Sequence, residues 1–359
     1  MACSDPWQGG ATWALMQYVL GLRSLGHDVW LVEPVGDELD RRYVREVVRS
    51  FKLEGRAAFL VGETGRSVGV PYDELQALAF DAHLNVSGVL EDAGLVERIP
   101  VRVYVDLDPA FNQIWYAHDG IDMRFDGHTH FVTVGQAIGH ADCPVPTCDV
   151  RWLTTLPPVD LASWPSIEAP GTDYTTVGNW RSYGSTTALG IHLGQRAHSV
   201  RQLFELPRRV HPRIAVAFAI DPAETSDLQE LRRHGWTLVD PVRAAGTPSR
   251  YRRFVQHSRA EISIAKSGYV ASRCGWVSDR STCYLASGRP VVALGTGLNS
   301  ALPTGLGLVL FDELNRAVEA IEEIESDYAR HATAARELAV EYLDARRVLQ
   351  RLLEQVGLS

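Results

Sequence analysis

The chain has 359 residues, 45% of them hydrophobic, with a formal net charge of -9 and a pI near 5.7. That length and apolar content furnish a core for each of two ordinary domains, and the acidic balance excludes a broad electrostatic footprint for nucleic acid or anionic lipid, leaving room for a local basic site only. No apolar run approaches the ~20 residues of a membrane span, and the opening "MACSDPWQGG" lacks the regions of a secretion signal; Cys3, Cys143, Cys148, Cys274 and Cys283 form no CxxC, so the sequence reads as soluble and cytoplasmic with reduced thiols.

In chain order, "QGGATWALMQYVLGLRSLG" places Leu15, Val19, Leu22 and Leu25 at helical spacing, with Thr12 expected as N-cap and Gly26 as the stop. "HDVWLVEP" predicts a buried strand, "RRYVREVVRSFKL" a helix, and "DAHLNVSG" and "RVYVDLDP" two further strands. This alternation calls for a parallel sheet covered by helices. Such a domain ordinarily begins with a central strand feeding its first glycine-rich turn. Here that strand is short or missing, and two alternatives stand: the true start lies upstream, or the sheet manages with a stub.

Residues 153–173, rich in Pro, Thr and Ser, have neither helical nor strand period and mark a boundary. Beyond them the pattern restarts: "DYTTVGNW", "RIAVAFAI", "WTLVDP" and "AEISIAK" read as strands, and "GQRAHSVRQLFEL", "ETSDLQELRRHG" and "TPSRYRRFVQHSR" as helices. Thr247 and Pro248 suit the N-cap and first position of the last of these. From Glu313 onward the chain is almost wholly helical. The expectation is therefore two Rossmann-like α/β domains, 1–160 and 161–330, followed by C-terminal helices at 331–359.

Three turns carry candidate chemistry. In "AKSGYVASRCGWVSDRS" a helix capped by Ser278 or Asp279 would present the N–H groups of Asp279, Arg280 and Ser281. Arg280, the Ser281 hydroxyl and Lys266 add donors suited to a diphosphate. Only Lys52 and Lys266 are lysines among 35 Lys and Arg residues, which makes Lys266 conspicuous; a solvated lysine beside a routine helix cap is the plainer alternative. "WQGGAT" offers Gly9 and Gly10 for close backbone approach to a ligand. "TVGNWRSYGS" brings Asn179, Trp180, Arg181 and Ser182 to a strand's C-terminal end, where open α/β sheets bind ligands; Trp180 is suited to stacking on a base or sugar, or to interdomain packing.

"YVDLDPAFNQIW" supplies Asp106 and Asp108, with Asn112 and Gln113 near. Either carboxylate suits acid–base work or stabilisation of a cationic centre. Asp-x-Asp also matches a divalent-ion site, and Asp108 before Pro109 also suits a helix cap. The histidines at 118, 128, 130 and 140 are read as surface or hydrogen-bonding groups before a metal site, and His198 is the better candidate near a donor.

The stretches "QGGATWALMQYVLGLRSLGHDVWLVEP", "SDRSTCYLASGRPVVALGTG" and "LPTGLGLVLF" resemble the two-domain glycosyltransferases of the GT-B fold, of the bacterial family 1 and 4 type, over nearly the whole chain. The resemblance implies a nucleotide-diphosphate sugar held by the second domain, an acceptor held by the first, and a last helix, Leu349 to Val356, crossing back. It puts Gly178, Asn179, Trp180, Arg181, Lys266, Ser267, Ser278, Asp279, Arg280 and Ser281 at the donor, with Gly9 and Gly10 facing them. The paired glutamates of many retaining members are replaced by Gly275 and Cys283, so the stereochemistry is unassigned. The resulting expectation is a metal-independent glycosyltransferase with Asp106, Asp108, Lys266 and Arg280 as catalytic residues and no cofactor beyond its co-substrate. That co-substrate is most simply a UDP-sugar, and the acceptor is a small molecule, with no nucleic acid partner and no stable membrane anchor. An inactive nucleotide-sugar-binding protein and a GT-B epimerase or phosphorylase are the alternatives; a hinged solute-binding protein ranks last.

Overall fold

Strands buried on both faces read as near-continuous apolar runs, and such runs set the frame of both halves. The computed structural model describes residues 2–62, 65–298 and 301–358. Met1 and Ser359, at the ends of the expected domains, lie outside them. In the second half β8 (Tyr174–Asn179), β11 (Ile214–Ala219), β12 (Thr237–Leu238), β13 (Ala260–Ser263), β14 (Val291–Leu294) and β15 (Leu308–Phe311) form a parallel sheet ordered β12-β11-β8-β13-β14-β15. The strand order reverses at β8 and β13, so a crevice opens at their C-terminal ends. A small antiparallel pair, β9 (Thr186–Ala188) and β10 (Ile191–Leu193), stands beside it.

The first half carries two sheets. β1 (Leu31–Val35) and β2 (Ala57–Val61) are parallel, with β3 (Arg66–Gly69) antiparallel on β2. β4 (Ala82–Val86), β5 (Val101–Asp106), β6 (His130–Thr133) and β7 (Trp152–Thr154) form a parallel sheet in that order. β1 and β4 do not pair. Between them lies a cavity of about 630 Å³, and among the described residues no strand precedes the first helix.

Local capping accounts for several helix starts. Asp40 accepts from Arg42 and Tyr43 N–H, Thr247 from Arg250 N–H and Ser278 from Arg280 N–H, each satisfying donors that the first turn leaves free. Thr12 departs from its expected capping role. The first helix starts earlier, at Gly9–Ser24, and the buried Thr12 hydroxyl bonds to Ala2 O and to Tyr43 Oη instead. Gly26, at φ 95°, ends that turn in the left-handed region.

The halves meet through helices. Trp13 Nε1 donates to Pro248 O at 2.8 Å, and the Trp13 and Trp164 rings lie 5.0 Å apart. A Cβ on Gly9 would collide with Thr247 O and stand 2.6 Å from Ala245 O; one on Gly10 would stand 2.9 Å from the Tyr251 ring. Gly9 and Gly10, expected to face a ligand across the cleft, allow this close helix packing. The last helix, Ala345–Gln355, lies on the first half, with Leu349, Leu352 and Val356 against Val103, Val105 and Val132. Gly9→Ala is expected to cost about 1–3 kcal/mol through overpacking, read as a lower urea midpoint with an unchanged slope.

Candidate functional site

The C-terminal ends of β5 and β13 face each other across the halves. After β5 the chain turns through Asp108 and Pro109 to Ala110, at φ 71°, before the helix Phe111–His118. Asp106 organises that turn. Its Oδ1 accepts from Asp108 N–H and Asn112 Nδ2, and its Oδ2 from Gln113 Nε2 and Thr133 Oγ1, at 2.7–3.0 Å. Complete burial pushes its carboxyl up to about 6 even though the Gln113 and Thr133 hydrogen bonds pull the other way. Asp106, expected as a catalytic residue, is fully buried, and its four hydrogen bonds hold the turn that carries Asp108.

Asp108 reaches the other half. Its Oδ1 accepts from Lys266 Nζ at 2.9 Å, from Tyr183 Oη at 2.6 Å and from Tyr269 Oη, while Lys266 Nζ also donates to Tyr183 Oη and stands 3.8 Å from the Tyr183 ring centroid. Burial works to raise the Asp108 carboxyl, but the Lys266 ammonium and the two phenols outweigh it and hold the group below the usual carboxylate range. Burial lowers Lys266 although Asp108 opposes this. The same burial, with Asp108 near, lifts both phenols far above their ordinary value, so they remain donors. The Lys266 side chain is 10% exposed and that of Asp108 35%, so solvent reaches the cluster from the carboxylate side.

Around Lys266 the second half gathers further polar groups. Gly268 N–H donates to Gly194 O, and a Cβ on Gly194 would collide with Ser267 Oγ and stand 2.5 Å from His198 Nδ1, so these three meet. Ser267 Oγ is buried without a hydrogen-bond partner. His198 Nδ1 accepts from Gln195 N–H; burial, reinforced by Arg181, lowers its pKa and keeps the ring neutral with Nε2 as donor. Arg196, which the sequence did not single out, donates to Ile264 O and Asn179 O, and its guanidinium occupies the space over Gly178. Gly178 is thus explained by Arg196 before any ligand. Asn179 stays partly accessible at the end of β8.

Trp180 and the Ser278–Ser281 turn lie elsewhere. Trp180 is 1% exposed in the core of the second half, donating to Asp227, which leaves no free ring face for stacking. Arg181 is exposed and paired with Glu224. Arg280 is buried and donates to Glu261, Val177 O and Ser263 Oγ. Burial would weaken its charge, but the Glu261 carboxylate more than restores it. Ser281 Oγ bonds to Ser263 Oγ, Ser278 Oγ caps the helix, and burial raises Asp279. The side chains of Arg280, Ser281 and Ser278, expected to contact phosphate, brace this turn from inside.

The crevice is closed as it stands. Gln136 and Ala137 N–H donate to Gly275 O and Cys274 O across the halves, and Gly135 bridges Trp276. Gly275 has φ 74° and a Cβ there would stand 2.8 Å from Ala137 N, so the glutamate common at this place would not fit; Cys283 is buried against Gln17. The cavity beside Ser278 and Trp276 holds about 30 Å³. The 630 Å³ cavity lies inside the first half, away from Asp108 and Lys266. Among the described residues no group of three or more His, Cys, Asp or Glu is placed to hold a metal, and no helix is long and apolar enough to cross a membrane.

No family model and no curated protein matches the sequence. Solved structures do match. AviGT4, described as a glycosyltransferase involved in avilamycin A biosynthesis, aligns at 16% identity over 99% of this chain and 91% of its own, with a TM-score of 0.59. HepE from Anabaena, in complex with UDP and glucose, aligns at 12% over 99% and 97%, TM-score 0.63. An α-glucosyltransferase in complex with UDP aligns at 13% over 98% of both chains, TM-score 0.61. The chain has their fold: two Rossmann-like halves facing across a cleft, the GT-B arrangement, with a helical C-terminal segment.

The Asp106 carboxyl gives a signed pH dependence. Its folded value lies above its unfolded one, so the folded state binds the proton more tightly and stability falls as pH rises from about 4 to about 6. Asp106→Asn lacks this slope. The stability advantage of the parent over this variant is expected to shrink across that window in urea titrations.

Proposed function

We propose that the protein is a glycosyltransferase that moves a sugar from a nucleotide-diphosphate donor, UDP-linked in the simplest case, to a small-molecule acceptor. Residues 161–330 hold the donor, residues 1–160 the acceptor, and 331–359 tie the halves together. The observation that carries this reading is the pair of buried Lys266 and half-buried Asp108 at the facing ends of β13 and β5, beside the unpartnered Ser267 hydroxyl and the neutral His198. UDP in two of the matching structures supports the choice of nucleotide.

Lys266 exchanges partners on donor binding. Its ammonium leaves Asp108 for the diphosphate, with Ser267 Oγ, His198 Nε2 and Asn179 adding hydrogen bonds. An acceptor oxygen then attacks the anomeric carbon as the bond to the diphosphate oxygen breaks. The diphosphate departs with the electron pair, its new charge met by Lys266. Asp108, released from its cation, gains basicity and takes the acceptor proton. Arg280 and Asp106 act behind this set as positioning residues, and no metal or cofactor takes part in the proposed step.

A second reading, a nucleotide-sugar-binding protein without turnover, is favoured by Gly275 and Cys283 at the glutamate positions and by the closed crevice. Titration calorimetry with UDP and other nucleoside diphosphates separates these readings when joined to a product assay. UDP is expected to bind, Lys266→Ala to weaken binding by about a hundredfold, and Asp108→Asn to strengthen it by about tenfold while slowing transfer. Failure of every nucleotide to bind folded protein overturns both readings; tight binding without release of UDP from any UDP-sugar leaves the second.

A further inference from the structure

A cavity of about 20 Å³ lies in the seam between the halves. Tyr18, Leu107, Pro157 and Pro158 line it from the first half, and Trp276 and Asp279 from the second. That volume suits one water or one hydroxyl group. Leu107 precedes Asp108 in the chain, and Trp276 stacks on Tyr269 with ring centroids 4.4 Å apart, so the cavity borders the Lys266–Asp108 cluster. Among these six side chains only Tyr18 and Asp279 carry strong hydrogen-bonding groups free to serve an occupant.

Tyr18 is held in place by its neighbours on the first helix. Trp13 Nε1 donates to Pro248 O, Gln17 Oε1 accepts from Asp160 N–H at 2.7 Å, and Gln17 Nε2 donates to Cys283 Sγ. Tyr18 itself is 7% exposed, and its Oη is buried without a hydrogen-bond partner. Burial, reinforced by the nearby Asp279 carboxylate, raises the phenol, which therefore keeps its proton as a donor. A buried donor left unmatched is costly to the protein that holds it.

Asp279 is the first residue of the helix Asp279–Ala286 and is half-buried. Among the described residues no side-chain donor reaches its carboxylate and it forms no ion pair. Arg280, the adjacent cation, is committed to Glu261, Val177 O and Ser263 Oγ. Burial raises the carboxyl against the pull of Arg280 and of the helix N–H groups. A carboxylate at this helix start already meets the positive end of the helix dipole, and it repels a second anion placed beside it. A neutral hydroxyl fits both groups at once, donating to the carboxylate and accepting from the phenol.

We propose that Tyr18 and Asp279, one from each half, form a subsite for a single hydroxyl group of a sugar. The sugar is the transferred residue of the donor or a saccharide acceptor, and this part of the proposal rests on the sugar-transfer reading.

Titration calorimetry on the full chain compares the parent with Tyr18→Phe and Asp279→Ala. The probes are UDP, UDP-glucose, UDP-galactose, and free glucose and galactose with and without UDP. Tyr18→Phe without ligand is expected to melt at or above the parent Tm, since the removed donor had no protein partner. UDP is expected to bind the parent and Tyr18→Phe alike. At least one sugar-bearing probe is expected to bind Tyr18→Phe about tenfold more weakly than the parent. Loss with a UDP-sugar assigns the hydroxyl to the donor, and loss with a free sugar assigns it to the acceptor. Equal binding of every sugar probe to parent and variant, or none to either, means that water alone fills the cavity and overturns the proposal. Should Tyr18→Phe lower Tm, Asp279→Ala decides: it weakens the same sugar probe about tenfold without weakening UDP, and an unchanged sugar affinity sinks the subsite. Failure of UDP to bind the parent removes the sugar-transfer reading alone, and the free sugars then judge the subsite by the same comparison.

Discussion

A charged pair set between two sheets, its lysine buried and its carboxylate half-buried, constrains the rest of the molecule. Lys266 and Asp108 come from opposite halves, and neither tolerates a low-dielectric setting alone. Their satisfaction requires Tyr183 and Tyr269 as donors, the Asp106-centred turn to hold Asp108, and the backbone contacts of residues 135–137 with 274–276 to keep the halves in register. The long pairing distance in sequence, from 108 to 266, means that this site exists only when both halves are folded and docked. Binding geometry and overall architecture are in this sense one problem.

The second half rests on a different ion pair. Arg280 and Glu261 lie beneath the sheet end with Ser263 and Ser281, away from solvent. Breaking such a pair from one side leaves an uncompensated charge and typically costs about 3–5 kcal/mol. Arg280 is therefore indispensable to this half whether or not it ever approaches a ligand. Loss of activity on its replacement would not by itself identify a phosphate contact.

What the sequence disclosed was mostly local. The strand and helix alternation, the caps Thr247 and Ser278 and the resemblance to GT-B proteins depend on residues close together, and short motifs record them. A glycine-rich turn without a feeding strand was legible too, and among the described residues no strand precedes the first helix. Partners distant in sequence were not legible. Gly9 answers to Thr247, Gly178 to Arg196 and Trp180 to Asp227, so residues that looked ready for a ligand proved to be meeting their own chain. Thr12 shows the same effect on a smaller scale, its hydroxyl drawn from capping by Ala2 and Tyr43. Tyr183 and Tyr269 carried no sequence signal, since nothing local ties a tyrosine to Asp108.

The scarcity of lysine acquires a meaning beside these contacts. Arginine presents a planar fork that binds well in one orientation, as Arg280 and Arg196 do against fixed acceptors. An ammonium is nearly spherical and turns freely on a flexible stem, so it can pass from one anion to another without rebuilding its surroundings. On the proposed function, the chain thus divides its buried cations into fixed fasteners, made of arginine, and a transferable charge at Lys266, placed where the two halves meet.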